Sequence, residues 1–309
     1  MRIATYSAYQ NTITQLQGRQ GELQKSQEQL TSGKRVAKPS DDPVAAARAE
    51  RALAAIAKAD AHQRALEAAR SATQLAETAL GDAGELLQQA RETLVEMGNA
   101  TYTDSERANL AQKLKGLRDQ LLGVANRGDG SGSYVFGGQG AASPPFVDGP
   151  GGVAYQGAAG NTMVASDASL STSIDGAQAW LQAPAPVAGD PPLSIFKVLD
   201  TAITSLSAPG ISSADVAAAV KTGIGELDTF NNHLLAVRAS AGEALNRMDQ
   251  TELRIADGKL AAQTEKSNAE DLDLVQAISD FQNRQTGYDA ALKAYSLVQR
   301  MSLFNYISG

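Results

Sequence analysis

The sequence predicts a mainly α protein, a long antiparallel bundle of helical rods with paired terminal helices and a small β-rich inserted outer domain. Three observations carry this. Apolar residues recur at heptad spacing through most of residues 44–126 and 193–265, the period of packed helices. The two ends match in kind, each a Gln-rich and thinly apolar helical stripe. Between Arg127 and Pro192 the pattern gives way to Gly, Ser and Pro with short β-prone pieces, the composition of turns and strands.

In chain order, the first stripe runs Tyr6, Tyr9, Ile13, Leu16, Gln20, Leu23, Gln27, Leu30 and stops at Thr31-Ser32-Gly33, where Gly33 suits a left-handed C-cap. In the connection Lys34–Pro43, Ser40 or Asp42 can cap the next helix, with Pro43 in its first turn, where a missing N–H is harmless. That helix extends to about Met97, a rod of about 80 Å. Its seam is Leu66, Ala69, Thr73, Ala76, Leu80, Ala83, Leu87, Ala90, Leu94, Met97. Gly98-Asn99 breaks it. Thr103-x-x-Glu106 reads as a capping box for a helix with stripe Leu110, Leu114, Leu117, Leu121, Val124.

Strands are expected at Tyr134–Phe136, Val153–Gln156, Thr162–Val164 and Leu170–Ile174, with turns at Asp148-Gly149 and Asp175-Gly176. Helix resumes with Ile195, Phe196, Leu199, Ile203 and Leu206 and breaks at Ala208-Pro209-Gly210. Ser212 or Ser213 then caps a second rod with seam Val216, Val220, Gly223, Leu227, Phe230, Leu234, Val237, Ala241, Ala244, Met248, Thr251, Ile255. The last stripe is Leu274, Ile278, Phe281, Gln285, Tyr288, Leu292, Tyr295, Gln299, Ser302. The implied domains are residues 1–42 with 268–309, a terminal assembly region disordered in the monomer; 43–126 with 193–267, the rods; and 127–192, the outer domain.

The terminal stripes are the candidate functional surface. Ordering a residue costs roughly 1–2 kcal/mol of backbone entropy, whereas a buried aliphatic side chain returns about 1.5–3 kcal/mol. Four aliphatics on the first seam, Ile13, Leu16, Leu23 and Leu30, do not obviously close that gap in a monomer. A glutamine on a seam lowers stability but sets register, which suits a repeating assembly. Leu274, Ile278, Phe281, Gln285, Tyr288, Leu292 and Tyr295 are the matching residues at the other end.

Composition narrows the alternatives. With 309 residues, 43% hydrophobic, and a net charge of −7, the chain can build a core but lacks the basic footprint of a nucleic-acid binder. There is no cysteine, hence no disulfide or thiolate metal site. No cleavable signal peptide or membrane span is read from the sequence. Only His62 and His233 offer imidazoles, and neither has metal-site spacing. Asp41-Asp42 reads as capping chemistry. The Gly128–Gly132 and Gly137–Gly140 runs lack the Lys-Ser/Thr of a P-loop. Asn99-Ala100-Thr101 is a sequon short enough to arise by chance, and Trp180 is expected to close a small core. No cofactor is implied.

The segment Leu30-Thr31-Ser32-Gly33-Lys34-Arg35-Val36, followed by Pro39-Ser40-Asp41-Asp42-Pro43, resembles the N-terminal signature of the bacterial flagellin superfamily. Gly116–Leu122, Tyr134–Gly138 with Phe146, and the closing Ser302-Leu303-Phe304-Asn305-Tyr306-Ile307 agree with it. The Lys38–Pro43 variant and the closing segment look more like the junction-forming members than the filament flagellins. Signature residues are then Gly33, Arg35, Pro39, Asp41, Asp42, Pro43, Leu303, Phe304 and Asn305. The resemblance implies a structural protein rather than an enzyme, exported uncleaved by the flagellar type III route to the extracellular flagellum. It also implies an inner layer of terminal helices and a ring of like subunits between hook-associated protein 1 and flagellin. A dedicated export chaperone would engage the C-terminal region, with no nucleic acid and no membrane insertion. The competing readings are a short filament flagellin and a type III needle-tip or translocator-like secreted protein.

Overall fold

The computed structural model describes residues 2–99, 101–138, 143–158, 161–165, 168–171, 174–185 and 189–307. It divides into two compact units, Met1–Asp60 with Ala256–Gly309, and Ala61–Ile255. The helices are α1 (Arg2–Ser32), α2 (Pro43–Met97), α3 (Asp104–Ala125), α4 (Gly176–Leu181), α5 (Ile195–Leu206), α6 (Ser213–Glu270) and α7 (Leu274–Ile307). Between α3 and α4 lie strands β1 (Phe146–Gly149), β2 (Gly152–Tyr155), β3 (Asn161–Ala165) and β4 (Ala168–Ser171), paired as two antiparallel hairpins, β1–β2 and β3–β4. The fold is mainly α, as the heptad spacing requires.

Helix ends form where the residues satisfy orphan backbone groups. Gly33 closes α1 with φ 68° and donates its N–H to Gln29 O at 2.9 Å. Asp42, not Ser40, caps α2, its Oδ1 accepting Val44 N at 3.1 Å and Ala45 N at 3.0 Å. The Thr103–Glu106 capping box forms in both directions. Ser212 rather than Ser213 caps α6, accepting Asp215 N at 3.2 Å and donating to Asp215 Oδ2 at 2.6 Å.

Within Ala61–Ile255 most of the expected seam residues are buried, while Val237, Ala244 and Ile255 of α6 are half-buried. Every α2 seam residue from Leu66 to Met97 is inaccessible or nearly so, as are Val216, Val220, Leu227, Phe230, Leu234, Ala241, Met248 and Thr251 of α6. Small residues permit close approach: a Cβ on Gly223 would lie 3.3 Å from Leu94 Cδ1. Leu114, Leu117 and Leu121 of α3 and Ile195, Phe196, Leu199 and Leu206 of α5 are buried in the same unit.

The insertion departs from the sequence reading. Tyr134–Phe136 is no strand: Tyr134 makes one bridge to Gly128, and Val135 and Phe136 turn into the core. Asp148-Gly149 belongs to β1, and the chain reverses at Pro150-Gly151. The last strand ends at Ser171, short of Ile174. Asp175-Gly176 is a helix start rather than a turn, Asp175 Oδ1 accepting Ala177 N at 2.9 Å and Gln178 N at 3.3 Å. A Cβ on Gly176 would meet Phe136 O at 2.6 Å, so only glycine lets α4 approach there. The common cause is aromatic burial. Trp180 lies edge-on to Phe136 at 5.5 Å and stacks on Phe196 at 6.2 Å, with Phe146 at 6.3 Å from both. Trp180 does close a core, but that core is continuous with the helical one.

A buried arginine ties these parts together. Arg118 of α3 reaches Asp148 Oδ1 and Oδ2 at 2.9 and 2.5 Å and Asp200 Oδ1 and Oδ2 at 2.9 and 3.2 Å, over the Phe196 ring at 5.9 Å. The Arg118 hydrogen bonds hold the Asp148 carboxyl below its usual 3.8. Breaking a buried pair costs about 3–5 kcal/mol, and half-exposed carboxylates reduce that, so Arg118→Leu is expected to destabilise by about 1–3 kcal/mol. Because the folded Asp148 pKa is depressed, its contribution is full above the unfolded value and fades as pH falls through the folded one. Thermal melts should show the Arg118→Leu deficit at neutral pH and its fading as pH falls through the depressed folded pKa of Asp148; a pH-independent deficit would contradict the assignment.

Candidate assembly interface

The terminal helices α1 and α7 pair antiparallel within their unit. Arg19 Nη1 donates to Gly287 O at 3.2 Å, Arg284 Nη1 donates to Glu22 O at 3.2 Å, and the Tyr9 and Tyr295 rings lie 5.9 Å apart. Nearer the helix junctions, Leu272 N donates to Gly33 O at 3.0 Å.

The pair covers only part of each expected stripe. On α1, Ile13, Leu16, Leu23 and Leu30 are half-buried and Gln20 and Gln27 exposed. On α7, Phe281, Tyr288 and Tyr295 are half-buried beside buried Ala277. Ile278, Gln285 and Leu292 form a second row at seven-residue spacing, and it is open: Ile278 is 49% and Leu292 40% exposed. Leu274 and Val275 in the first turn are exposed as well. The terminal seam is therefore two rows, one turned to the partner helix and one left free.

The seam glutamines Gln20, Gln27 and Gln285 are exposed in the single chain. Register is held by residues the stripe reading missed: Arg19 and Arg284, which cross to backbone carbonyls, and Ser26, which is buried. Gly287 gives Arg19 its room, since a Cβ there would lie 3.1 Å from Arg19 Nη1. A lone glycine inside a long helical pattern was the available signal.

The signature residues form the corner that joins α1 to α2 and meets the α6–α7 turn. Arg35 donates its backbone N–H to Glu270 O at 2.6 Å and its Nη2 to Ala269 O at 2.8 Å, and Nη1 lies 3.3 Å from Asp42. Lys34 pairs with Glu270 at 2.8 Å, which raises the lysine pKa. Asp41 pairs with Lys25 at 3.0 Å and accepts Lys38 N at 3.0 Å, so its pKa is lowered, chiefly by Lys25. Asp42 is lowered chiefly by the Ala45 N–H. Pro39 is exposed, and Pro43 opens α2. Leu303, Phe304 and Asn305 continue the α7 backbone, while their side chains lie outside the described residues.

This chemistry is positional. His233 Nε2 lies 2.8 Å from Gln178 O, Asp41 and Asp42 are engaged in the corner, and Asp129 folds the glycine run by accepting Ser131 N and Ser133 N. Among the described residues no His/Cys/Asp/Glu group could hold a metal ion, and no helix is long and apolar enough to cross a membrane.

If Asp42 works as a cap, Asp42→Ala should speed amide exchange at Val44 and Ala45 while Asp42→Ser restores protection. Both depressed carboxyls contribute above their unfolded pKa and cease to as pH falls through the lower folded one. The corner amides of wild type should therefore lose protection only in strong acid. Unchanged exchange in Asp42→Ala would remove the capping role.

Residues 3–141 match the family described as bacterial flagellin N-terminal helical region. The chain is 34% identical over 98% of its length to flagellar hook-associated protein 3 of Salmonella typhimurium, covering 99% of that protein, with the same figures for its Escherichia coli counterpart. In fold it is similar to a putative flagellar hook-associated protein from Vibrio parahaemolyticus, with a TM-score of 0.64 at 18% identity over 75% of this chain and 100% of that one. At 34% identity over nearly the full length of both chains, this chain belongs to the flagellar hook-associated protein 3 family of the bacterial flagellin superfamily.

Proposed function

We propose that the chain is a structural subunit of the hook–filament junction, set between hook-associated protein 1 and flagellin in a ring of its own copies outside the cell. The observation that carries this is the α1–α7 pair, whose Ile278–Gln285–Leu292 row stays open while the row beside it is engaged. A lone two-helix layer with a free apolar row gains more from a neighbouring subunit than from its own chain. The family membership supports the same reading.

In this reading residues 1–42 with 268–309 are the assembly region, marginally held before incorporation. Residues 43–126 with 193–267 are the rods, and 127–192 face outward from them. Export without cleavage by the flagellar type III route, with a chaperone engaging the C-terminal region, belongs to the same proposal. A short filament flagellin is disfavoured by the hook-associated relatives. The separating observation is binding to hook-associated protein 1 without growth of long filaments by the purified chain.

The two α7 rows make distinct predictions. Exposed-surface changes usually stay within about 0.5 kcal/mol, so Ile278→Ala with Leu292→Ala should leave the monomer melt nearly unchanged. In a strain carrying only that form, filaments should be lost although the protein is secreted normally. Phe281→Ala should in addition loosen α1 from α7, seen as faster exchange of α1 amides. Normal filaments in the Ile278/Leu292 strain would show that the open row makes no junction contact.

A further inference from the structure

Within Ala61–Ile255 the cations divide by residue type. Arg70, Arg91, Arg107, Arg118, Arg127 and Arg238 each pair with a carboxylate of the same chain. The four lysines of this unit, Lys113, Lys115, Lys197 and Lys221, are all exposed, and among the described residues none forms an ion pair. Glu85, Glu92 and Glu96 on α2 are exposed and unpaired with any cation in the same way. Their side-chain partners among the described residues are neutral: Gln88 donates to Glu92 at 3.2 Å and Tyr102 to Glu96 at 3.4 Å.

These two sets of free charges point to different sides. Leu94 of α2 faces Gly223 of α6, where a Cβ would lie 3.3 Å from Leu94 Cδ1 and 3.8 Å from Ala202 Cβ of α5. A helix turns about 100° per residue, so a residue two places along points about 200° away, to the far side. Glu92 and Glu96 stand two places on either side of Leu94, and Lys221 stands two places before Gly223. The glutamates therefore lie on the outer surface of α2 and Lys221 on the outer surface of α6. Val95, between Glu92 and Glu96, is 52% exposed.

The lysine side holds a cleft. Between α5, α6 and residues 190–193 lies a volume of about 870 Å³, lined by Lys197 and Lys221 and by the apolar Pro191, Pro192 and Leu193. Over Gly225 the floor is open, since a Cβ there would meet no atom within 4 Å. Of the acids that line it, Asp190 is exposed, while Glu226 is half-buried and burial pushes its pKa up against the field of Lys197. The exposed charge of the cleft is net positive, and Lys115 extends it on the α3 side of Lys197.

The geometry points to a head-to-tail contact between copies of this chain, in which the α2 face of Glu85, Glu92, Val95 and Glu96 on one copy seats on the Lys197 and Lys221 cleft of the next. This rests on the reading of the chain as a ring-forming subunit and names the surfaces that join the ring. A contact between two different surfaces leaves each copy with one of each to offer, so it propagates until it closes rather than stopping at a dimer. Opposite signs steer the two faces together, and like faces repel. Because the arginines are used within the chain, the lysines remain available for a neighbour.

Carbodiimide tests this on the unaltered protein. It joins a lysine amine to a carboxylate as an amide, the reagent taking up the lost water, only where the two groups pair. Hook–filament preparations and the purified chain in dilute solution would both be treated, digested and compared by mass spectrometry. The expected result is peptides joining Lys197 or Lys221 to Glu85, Glu92 or Glu96 in the assembled sample, absent from the dilute chain, with a ladder of multimers on denaturing gels. Glu92→Lys with Glu96→Lys should abolish the ladder while leaving the monomer melt nearly unchanged. Adding Lys221→Glu should restore a ladder through the exchanged pair. Junctions that contain the chain but yield no such peptides, or yield Lys197 and Lys221 joined only to flagellin or hook-associated protein 1, would overturn this contact and leave the junction reading standing. Absence of the chain from hook–filament preparations would overturn both.

Discussion

Two helices side by side can cover only one stripe of each, and the behaviour of each part of this chain follows from whether a second cover is supplied. In Ala61–Ile255 it is. The α2 and α6 seams share one core with α3, α5 and the aromatic side chains of the insertion, and residues such as Leu80, Leu94 and Phe230 are fully buried. The α1–α7 pair lacks a comparable cover: Ile13, Leu16 and Leu23 stop at half burial, and Ile278 and Leu292 remain open. Function is assigned to this second situation because it leaves apolar surface at regular spacing on a helix already held in register.

The signature between Gly33 and Pro43 is thereby given a physical task. Its residues bond to one another and to the α6–α7 turn through Arg35, Lys34 and Glu270. Gly33 supplies the left-handed turn, Asp42 the cap, and Asp41 the brace to Lys25. These groups are exposed or half-buried and individually weak. Their joint effect is to direct two chain ends into one antiparallel pair.

Helices, caps and seams were legible in the sequence because each depends on neighbours within a turn or two: the Leu66–Met97 seam, the Thr103–Glu106 box, and the break at Pro209-Gly210. The insertion was less legible. Phe136 looks like strand material, yet long-range packing against Trp180 draws it into the core, and Asp175 looks like a turn residue until α4 is seen to carry that tryptophan. In the terminal stripes, both α7 rows carry apolar residues at the same spacing. Only the position of α1 decides that Phe281, Tyr288 and Tyr295 are the half-buried set and Ile278 and Leu292 the open one.

The central claim is that α1 and α7 acquire their full burial only from neighbouring subunits. Amide hydrogen exchange on the isolated chain and on the same chain incorporated into hook–filament junctions tests it directly. The account predicts that amides of residues 9–30 and 274–297 exchange much faster than those of 66–97 in the isolated chain and approach them once incorporated. Equal protection of both regions in the isolated chain, unchanged on incorporation, would contradict it.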